Sequence, residues 1–381
     1  MAKKIALVAP YISTNYGTML QAYALAHKIN ELGYECEYIN YTPYYKLSVY
    51  ERIIRKIKRL FHIEARVKKL TYEGVDDFRY IFSEQFAPLR KSCLLFSEYN
   101  IPHSEVCYTP KTIQQSTQTY NRFIVGSDQT WSIERYISMN GFYLLPFLKN
   151  NVKCYAYAPS IGTTTIAPEY TKILLRQLSK FEALSCREAT NSRTLGKLMR
   201  REVFTVVDPT MLITGKEWKN IEKKVELPSK YILAYILGEK ECISAYGEEL
   251  GKQLELPVYY VCTRPKYIEK LYHLPIGLSP EQWLWAVDNA YCIVTDSFHG
   301  CLFSINFNRD FYVFTKREEA ANDFNDNDRI MELLKTYGLE ERFVHDNYEK
   351  VSFNSISYEA KQNQINRLRA ESIVYLQSII G

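Results

Sequence analysis

Short apolar runs of about 4–8 residues alternate with longer amphipathic stretches along most of this chain, and that alternation predicts βαβ units wrapped around parallel sheets. In the first half KIALVAP (4–10), ECEYINY (35–41), RFIVGSDQTW (122–131), KCYAYAPSIG (153–162), ALSCRE (183–188) and FTVVDPT (204–210) read as strands. Helical patterns at 19–33, 168–181 and 189–199 lie between them, and Gly33 stands where a helix C-cap is expected. In the second half KYILAYIL (230–237), LPVYYVC (256–262), YCIVTD (291–296) and DFYVF (310–314) read as strands. Helices are expected there at 240–254, 279–289, 298–307 and 327–337. The stretch from 71 to 120 shows no regular pattern.

At 381 residues the chain exceeds one ordinary core and fits two domains, each under about 200 residues. A polar connection at 211–229 sets the expected boundary. This gives an N-terminal domain over 1–212, a C-terminal domain over 213–355 and a terminal helix over 356–381, a candidate to cross back onto the first domain. The fold class is therefore α/β, with two Rossmann-like domains facing a cleft.

The opening residues carry too short an apolar run for a signal peptide, and no stretch approaches the roughly 18–20 apolar residues of a membrane span. The nine cysteines are scattered through strand-like runs without a C-x-x-C pair, a pattern of small core residues in a reducing compartment. A cytoplasmic protein is expected. Tyrosine is abundant, at 32 residues, which suits sugar-facing clefts and half-buried sheets alike. The net charge of +5 is concentrated in 46–70, where nine Lys and Arg oppose two Glu on an amphipathic helical pattern. Such a helix either covers the core with a solvated face or makes peripheral contact with anionic lipid or a lipid-linked acceptor. No nucleic-acid motif accompanies it.

Ligands of open parallel sheets bind beyond the carboxyl ends of the strands. Four motifs sit at such edges. After the first strand, STNYG leads into a helix; Asn15, Tyr16, Gly17 and Gln21 either shape this turn or meet acceptor hydroxyls, and no phosphate-binding glycine loop is present. Next, VGSDQTW delivers Ser127, Asp128 and Trp131, a carboxylate and a ring suited to gripping a sugar, or alternatively a helix cap. Third, Arg187 and Glu188 leave a strand at SCRE; the guanidinium suits a carboxylate or phosphate, or a structural ion pair. Fourth, VTDSFHG runs off a strand into Ser297, Phe298, His299 and Gly300 at a helix start, with Lys316 following the next strand and Arg329 beyond. The helix terminus disfavours an imidazolium while a bound polyanion favours it, so the charge of a general acid would form as substrate arrives. The scattered Asp, Glu and His show no metal-ligand spacing.

NYGTMLQAYAL, FIVGSDQTW, SCREATNSRTLG followed by VVDPTMLI, and VTDSFHGCLFSINFNRDFYVF together resemble the polysaccharide pyruvyltransferases over about residues 4–350. The resemblance implies a fold similar to glycosyltransferase type B. It also implies phosphoenolpyruvate as co-substrate rather than a resident cofactor, and a pyruvate ketal formed across two hydroxyls of a cell-surface glycan or its precursor. By position, His299 matches the family histidine of the phosphoenolpyruvate site, Arg187 an arginine near the donor's phosphate or carboxylate, and Lys316 a downstream lysine. Characterised members often carry Arg two positions before that histidine, where this chain has Ser297. Arg187, Lys316, Arg317 or Arg329 would then supply the missing charge, or the donor differs. The expected mechanism gives His299 the role of general acid and Asp128 that of holding or deprotonating the acceptor. Alternatives are a sugar-nucleotide glycosyltransferase, a related transferase with another donor, and a non-catalytic glycan-binding protein.

Overall fold

The computed structural model describes residues 4–43, 79–149, 152–315 and 327–381; the basic segment 46–70 and Lys316 lie outside the described residues. Strands β1 (Ile5–Val8) and β2 (Cys36–Tyr38) flank helix α1 (Tyr16–Glu31). Helix α2 (Ala87–Asn100) follows, then β3 (Arg122–Val125) and β4 (Lys153–Ala156). The four strands pair in parallel in the order β2-β1-β3-β4. Their short apolar runs are buried on both faces, as a sheet covered by helices on either side requires.

Beyond helix α3 (Pro168–Leu178), the pair β5 (Ser185–Cys186) and β6 (Phe204–Thr205) brackets α4 (Ala189–Met199) as a small parallel ladder. The second half builds an equivalent sheet from β7 (Ile232–Tyr235), α5 (Glu241–Leu254), β8 (Val258–Tyr260), α6 (Pro280–Asp288), β9 (Cys292–Thr295), α7 (Phe298–Asn306) and β10 (Asp310–Val313). Its order is β10-β9-β7-β8, again parallel. Helix α8 (Asn327–Tyr337) leads to the long α9 (Tyr358–Ile380).

Helix α9 crosses back. Near its start the Tyr358 hydroxyl donates to the Arg309 carbonyl at 2.7 Å, beside the second sheet. Further along, Arg369 Nε donates to the Met211 carbonyl at 2.6 Å and Ser372 Oγ accepts from Val207 N at 2.9 Å. Tyr375 Oη then donates to the carbonyl of Ala156, the last residue of β4, at 2.8 Å. The polar link at 211–229 opens with a packed segment: Met211, Leu212, Ile213 and Trp218 are buried. The Asn306 amide, from α7, donates to the carbonyls of Thr210 at 3.0 Å and Ile213 at 2.8 Å.

Two elements differ from the expectation. Helix α1 begins three residues early because Asn15 caps it, its side chain accepting from Thr18 N at 3.4 Å. Helix α2 falls inside the stretch where no pattern was seen. It buries Leu89, Cys93 and Phe96 on one stripe, yet Leu94 is 52% and Tyr99 80% exposed, so apolar residues surround the helix and blur its periodicity.

Candidate functional site

The carboxyl edges of the two sheets meet where the N-terminus of α1 abuts the N-terminus of α7. The contact is tight: a Cβ at Gly17 would lie 2.2 Å from His299 Cγ. Glycine at 17 is therefore what lets the imidazole sit against the α1 backbone. His299 itself is 7% exposed.

Around it the first half of the chain arranges charge. Asp208, in the loop after β6, is buried, and its Oδ1 accepts from Thr210 N at 3.0 Å and Thr210 Oγ1 at 2.8 Å. Its Oδ2 accepts from Arg187 Nη1 at 2.8 Å and Ser127 Oγ at 3.3 Å, and lies 3.6 Å from His299 Nε2. Arg187 also bonds Glu188 Oε1 through Nε at 3.1 Å, and its guanidinium lies 4.0 Å over the Phe298 ring. Arg187 Nη2 and His299 Nε2 are buried and have no hydrogen-bond partner.

Burial works to raise the Asp208 pKa, but its interactions with His299, Arg187 and the Thr210 amide outweigh it and hold the carboxyl below the usual carboxylate range. Burial likewise opposes ionisation of Asp128, and His299, Arg135 and Arg187 overcome it, so Asp128 is also lowered. Arg187 is desolvated, yet Glu188, Asp208 and Asp128 raise its pKa further. The cluster is a pre-ionised set of two acids and one guanidinium facing one imidazole.

Asp128 is placed by backbone shape. Gly126, before it, has φ +124°, and a Cβ there would strike the Tyr157 carbonyl at 1.9 Å. Asp128 has φ 63°, a left-handed conformation that Asp tolerates better than most residues. Its Oδ2 accepts from Thr18 Oγ1, in the first turn of α1, at 2.9 Å, and its Oδ1 from Gln129 N at 2.8 Å. Arg187, Asp208, Phe298, Arg329 and Glu332 line a cleft of about 60 Å³ that continues towards α9. Arg329 lies 5.9 Å from the Phe298 ring, so two guanidiniums approach that ring.

The structure thus brings His299, Asp128, Arg187, Phe298, Gly17, Ser127 and Arg329 together. Other expected site residues make their contacts within the fold. Trp131 is 0% exposed and packs edge-on against Phe181, so its ring offers no face to a sugar. Tyr16 is 3% exposed, stacks on Trp283 at 5.4 Å and donates to the Leu278 carbonyl at 3.1 Å, which makes it a pin between the halves. Asn15 caps α1. Gln21 is fully buried; its carbonyl accepts from Ser127 N at 3.2 Å and its amide donates to the carbonyls of Pro10 and Thr18. It positions the Asp128 loop. Ser297 caps α7, its hydroxyl accepting from Gly300 N at 3.2 Å, so the Gly300 amide is already taken. Gly300 packs so closely that a Cβ would lie 2.6 Å from Thr295 Oγ1.

The residues that sequence reasoning missed are Asp208 and Thr18. Asp208 stood inside VVDPT as one more strand end, and only its burial among three donors marks it. Among the described residues no group of three or more His, Cys, Asp or Glu is arranged to hold a metal ion, and no helix is long and apolar enough to cross a membrane.

Two parallel α/β sheets facing a cleft, strapped by a returning terminal helix, define the type B glycosyltransferase architecture. Among solved structures, UDP-GlcNAc 2-epimerase from Methanocaldococcus jannaschii shares this fold at a TM-score of 0.50 and 10% identity, over 97% of this chain and 99% of that one. The Rickettsia bellii UDP-N-acetylglucosamine 2-epimerase matches at 0.44 and 12% identity, over 99% and 98% of the two chains. The E. coli ADP-heptose LPS heptosyltransferase II matches at 0.35 and 10% identity, over 97% and 99%. The model of the polysaccharide pyruvyl transferase family matches residues 15–315, and the chain belongs to that family. No curated protein matches it.

Proposed function

We propose that this protein transfers the pyruvyl group of phosphoenolpyruvate onto two hydroxyls of a sugar in a cell-surface polysaccharide or its precursor, forming a pyruvate ketal. The observation that carries this reading is the convergence of Arg187, Asp208 and His299 from both halves of the chain, with one guanidinium N–H and one imidazole nitrogen left unpaired. Buried unpaired donors are costly, and a ligand with anionic oxygens satisfies them.

In this mechanism Arg187 and Arg329 hold the donor's phosphate and carboxylate. Ser297 is occupied as a cap, so these two guanidiniums supply the charge missing from its position; Lys316, outside the described residues, is a third candidate. His299 gives its proton to the methylene carbon, and the adjacent carbon becomes oxocarbenium-like. One sugar hydroxyl bonds that carbon, phosphate leaves with the C–O bond electrons, and a second hydroxyl closes the ketal. Of the two hydroxyl protons released, one restores His299 and the other leaves with phosphate, so the reaction balances without a redox cofactor. Asp128, with its lowered pKa, is a weak base and a strong acceptor, so it holds the attacking hydroxyl rather than deprotonating it.

Calorimetry with phosphoenolpyruvate tests the reading. Wild type should bind, and Arg187→Ala should bind about 10- to 100-fold more weakly, the worth of a charge-assisted bond of about 1.5–3 kcal/mol. Equal affinity in the two proteins would remove Arg187 from the donor site, and a lack of wild-type binding at millimolar concentration would favour a different donor on the same fold.

A further inference from the structure

One oxygen, Asp208 Oδ2, faces donors from three separate elements, while Oδ1 is filled by Thr210. The Ser127 hydroxyl has a single hydrogen, and its shorter bond, 2.8 Å, goes to the Ala158 carbonyl. The contest for Oδ2 is therefore between Arg187 Nη1 at 2.8 Å and His299 Nε2 at 3.6 Å. At that length His299 has no hydrogen bond. Arg187 wins the oxygen but leaves Nη2 unsatisfied, and His299 goes without. The site is one acceptor short, and a bound anion is the acceptor that would complete it.

We propose that Asp208 is the positioning residue that couples anion binding to protonation of His299: an oxyanion takes the fork of Arg187, and the Asp208 oxygen thereby released accepts from His299 Nε2. This rests on reading the cleft as the site of an anionic donor. The Cβ, Cγ and Nδ1 atoms of His299 pack against Gly17, which limits movement of the side chain on that side. The charged groups acting at this point are Asp208, Asp128 and Arg187, with Glu188 on the far side of Arg187, Arg135 acting on Asp128, and Arg329 beyond Phe298. The N-terminus of α1 opposes an imidazolium, and the released Oδ2 offsets it. The proton comes from solvent and no covalent bond changes. The general acid is then charged only while a donor occupies the cleft.

Histidine-selective ¹⁵N NMR of the full chain, with the His299 signal assigned by His299→Gln, reads this directly without turnover. In wild type, saturating inorganic phosphate should raise the midpoint of the His299 titration by about one pH unit, a tenfold change in proton affinity. In Asp208→Asn, whose amide keeps the Thr210 contacts but offers no second oxygen, the rise should fall below about half of that, and Asp208→Glu should recover part of it. Should Asp208→Asn fail to fold, Arg187→Gln serves: the His299 midpoint should already be raised without phosphate and should not respond to it. A wild-type titration indifferent to phosphate, or an equal rise in Asp208→Asn, overturns the coupling. Phosphoenolpyruvate that fails to bind or react while this phosphate response holds would overturn the donor and leave the coupling standing.

Discussion

The carboxyl edges of the two sheets are built alike and end differently. At the second edge the Thr295 and Asp296 side chains close on backbone groups. Thr295 Oγ1 donates to the Tyr235 carbonyl at 2.6 Å and accepts from Ser297 N at 3.0 Å, and the Asp296 carboxylate accepts from Leu237 N and Gly238 N, each at 2.7 Å. Helix α7 is thereby fixed, and His299 with it. At the edge of the first half, Arg187 and Asp208 are buried but the bonds do not close: one oxygen is shared, Arg187 Nη2 is spare, and so is His299 Nε2, which reaches in from α7. Satisfied polar clusters hold architecture, and buried unsatisfied ones mark where a ligand completes the structure.

This contrast can be broken by mutation, beginning with the largest effect. His299→Gln should reduce pyruvyl transfer by about 10²- to 10⁴-fold while the melting temperature stays near wild type, because only the acid is lost; phosphate release in the presence of an acceptor sugar measures it. Gly17→Ala sets a methyl group against His299 and should displace the ring, costing both activity and about 1–3 kcal/mol of stability, as overpacking does. Asp296→Ala should cost a similar 1–3 kcal/mol in urea unfolding, since two amides lose their acceptor, while the protein that remains folded keeps its phosphoenolpyruvate affinity. A drop in affinity as large as that of Arg187→Ala would show that the second edge binds donor as well. Ser297→Ala, the loss of a helix cap, should cost about 1 kcal/mol and leave donor affinity nearly unchanged.

Acid titration sharpens the same comparison. The carboxyls of Asp208 and Asp128 are lowered in the folded chain, so the stability they contribute is present above their ordinary pKa, near 3.9, and is lost as pH falls further. Asp208→Asn should flatten that acid limb in a series of melting curves.

The order of strands and helices was legible because continuous apolar runs and helical periods are local properties, and α3, α4 and α5 fall where their patterns lie. Helix α2 was not legible, because Leu94, Leu95 and Tyr99 place apolar side chains on its exposed face. His299 and Arg187 were visible as charged groups leaving strands into helices. Asp208 was not, because its importance comes from Arg187, Ser127 and His299, which are distant in sequence and meet only after folding. Trp131 and Tyr16 misled for the opposite reason. An aromatic residue next to a polar turn has the same local signature whether it faces a cleft or a core, and both turned inward.

Helix α9 has a consequence for how the chain is made. The Ala156 carbonyl, which accepts from Ser185 Oγ at 2.9 Å, gains Tyr375 only 219 residues later, and Val207 N waits 165 for Ser372. Domains emerging from a ribosome commonly finish folding one after another. Here the first sheet can form early, its β4 edge paired by the backbone at 182–183, but the surface that α9 covers stays exposed until α9 is synthesised. Until then that surface is available to chaperones or to a neighbouring nascent chain, and completion of the first half is timed by the synthesis of the second.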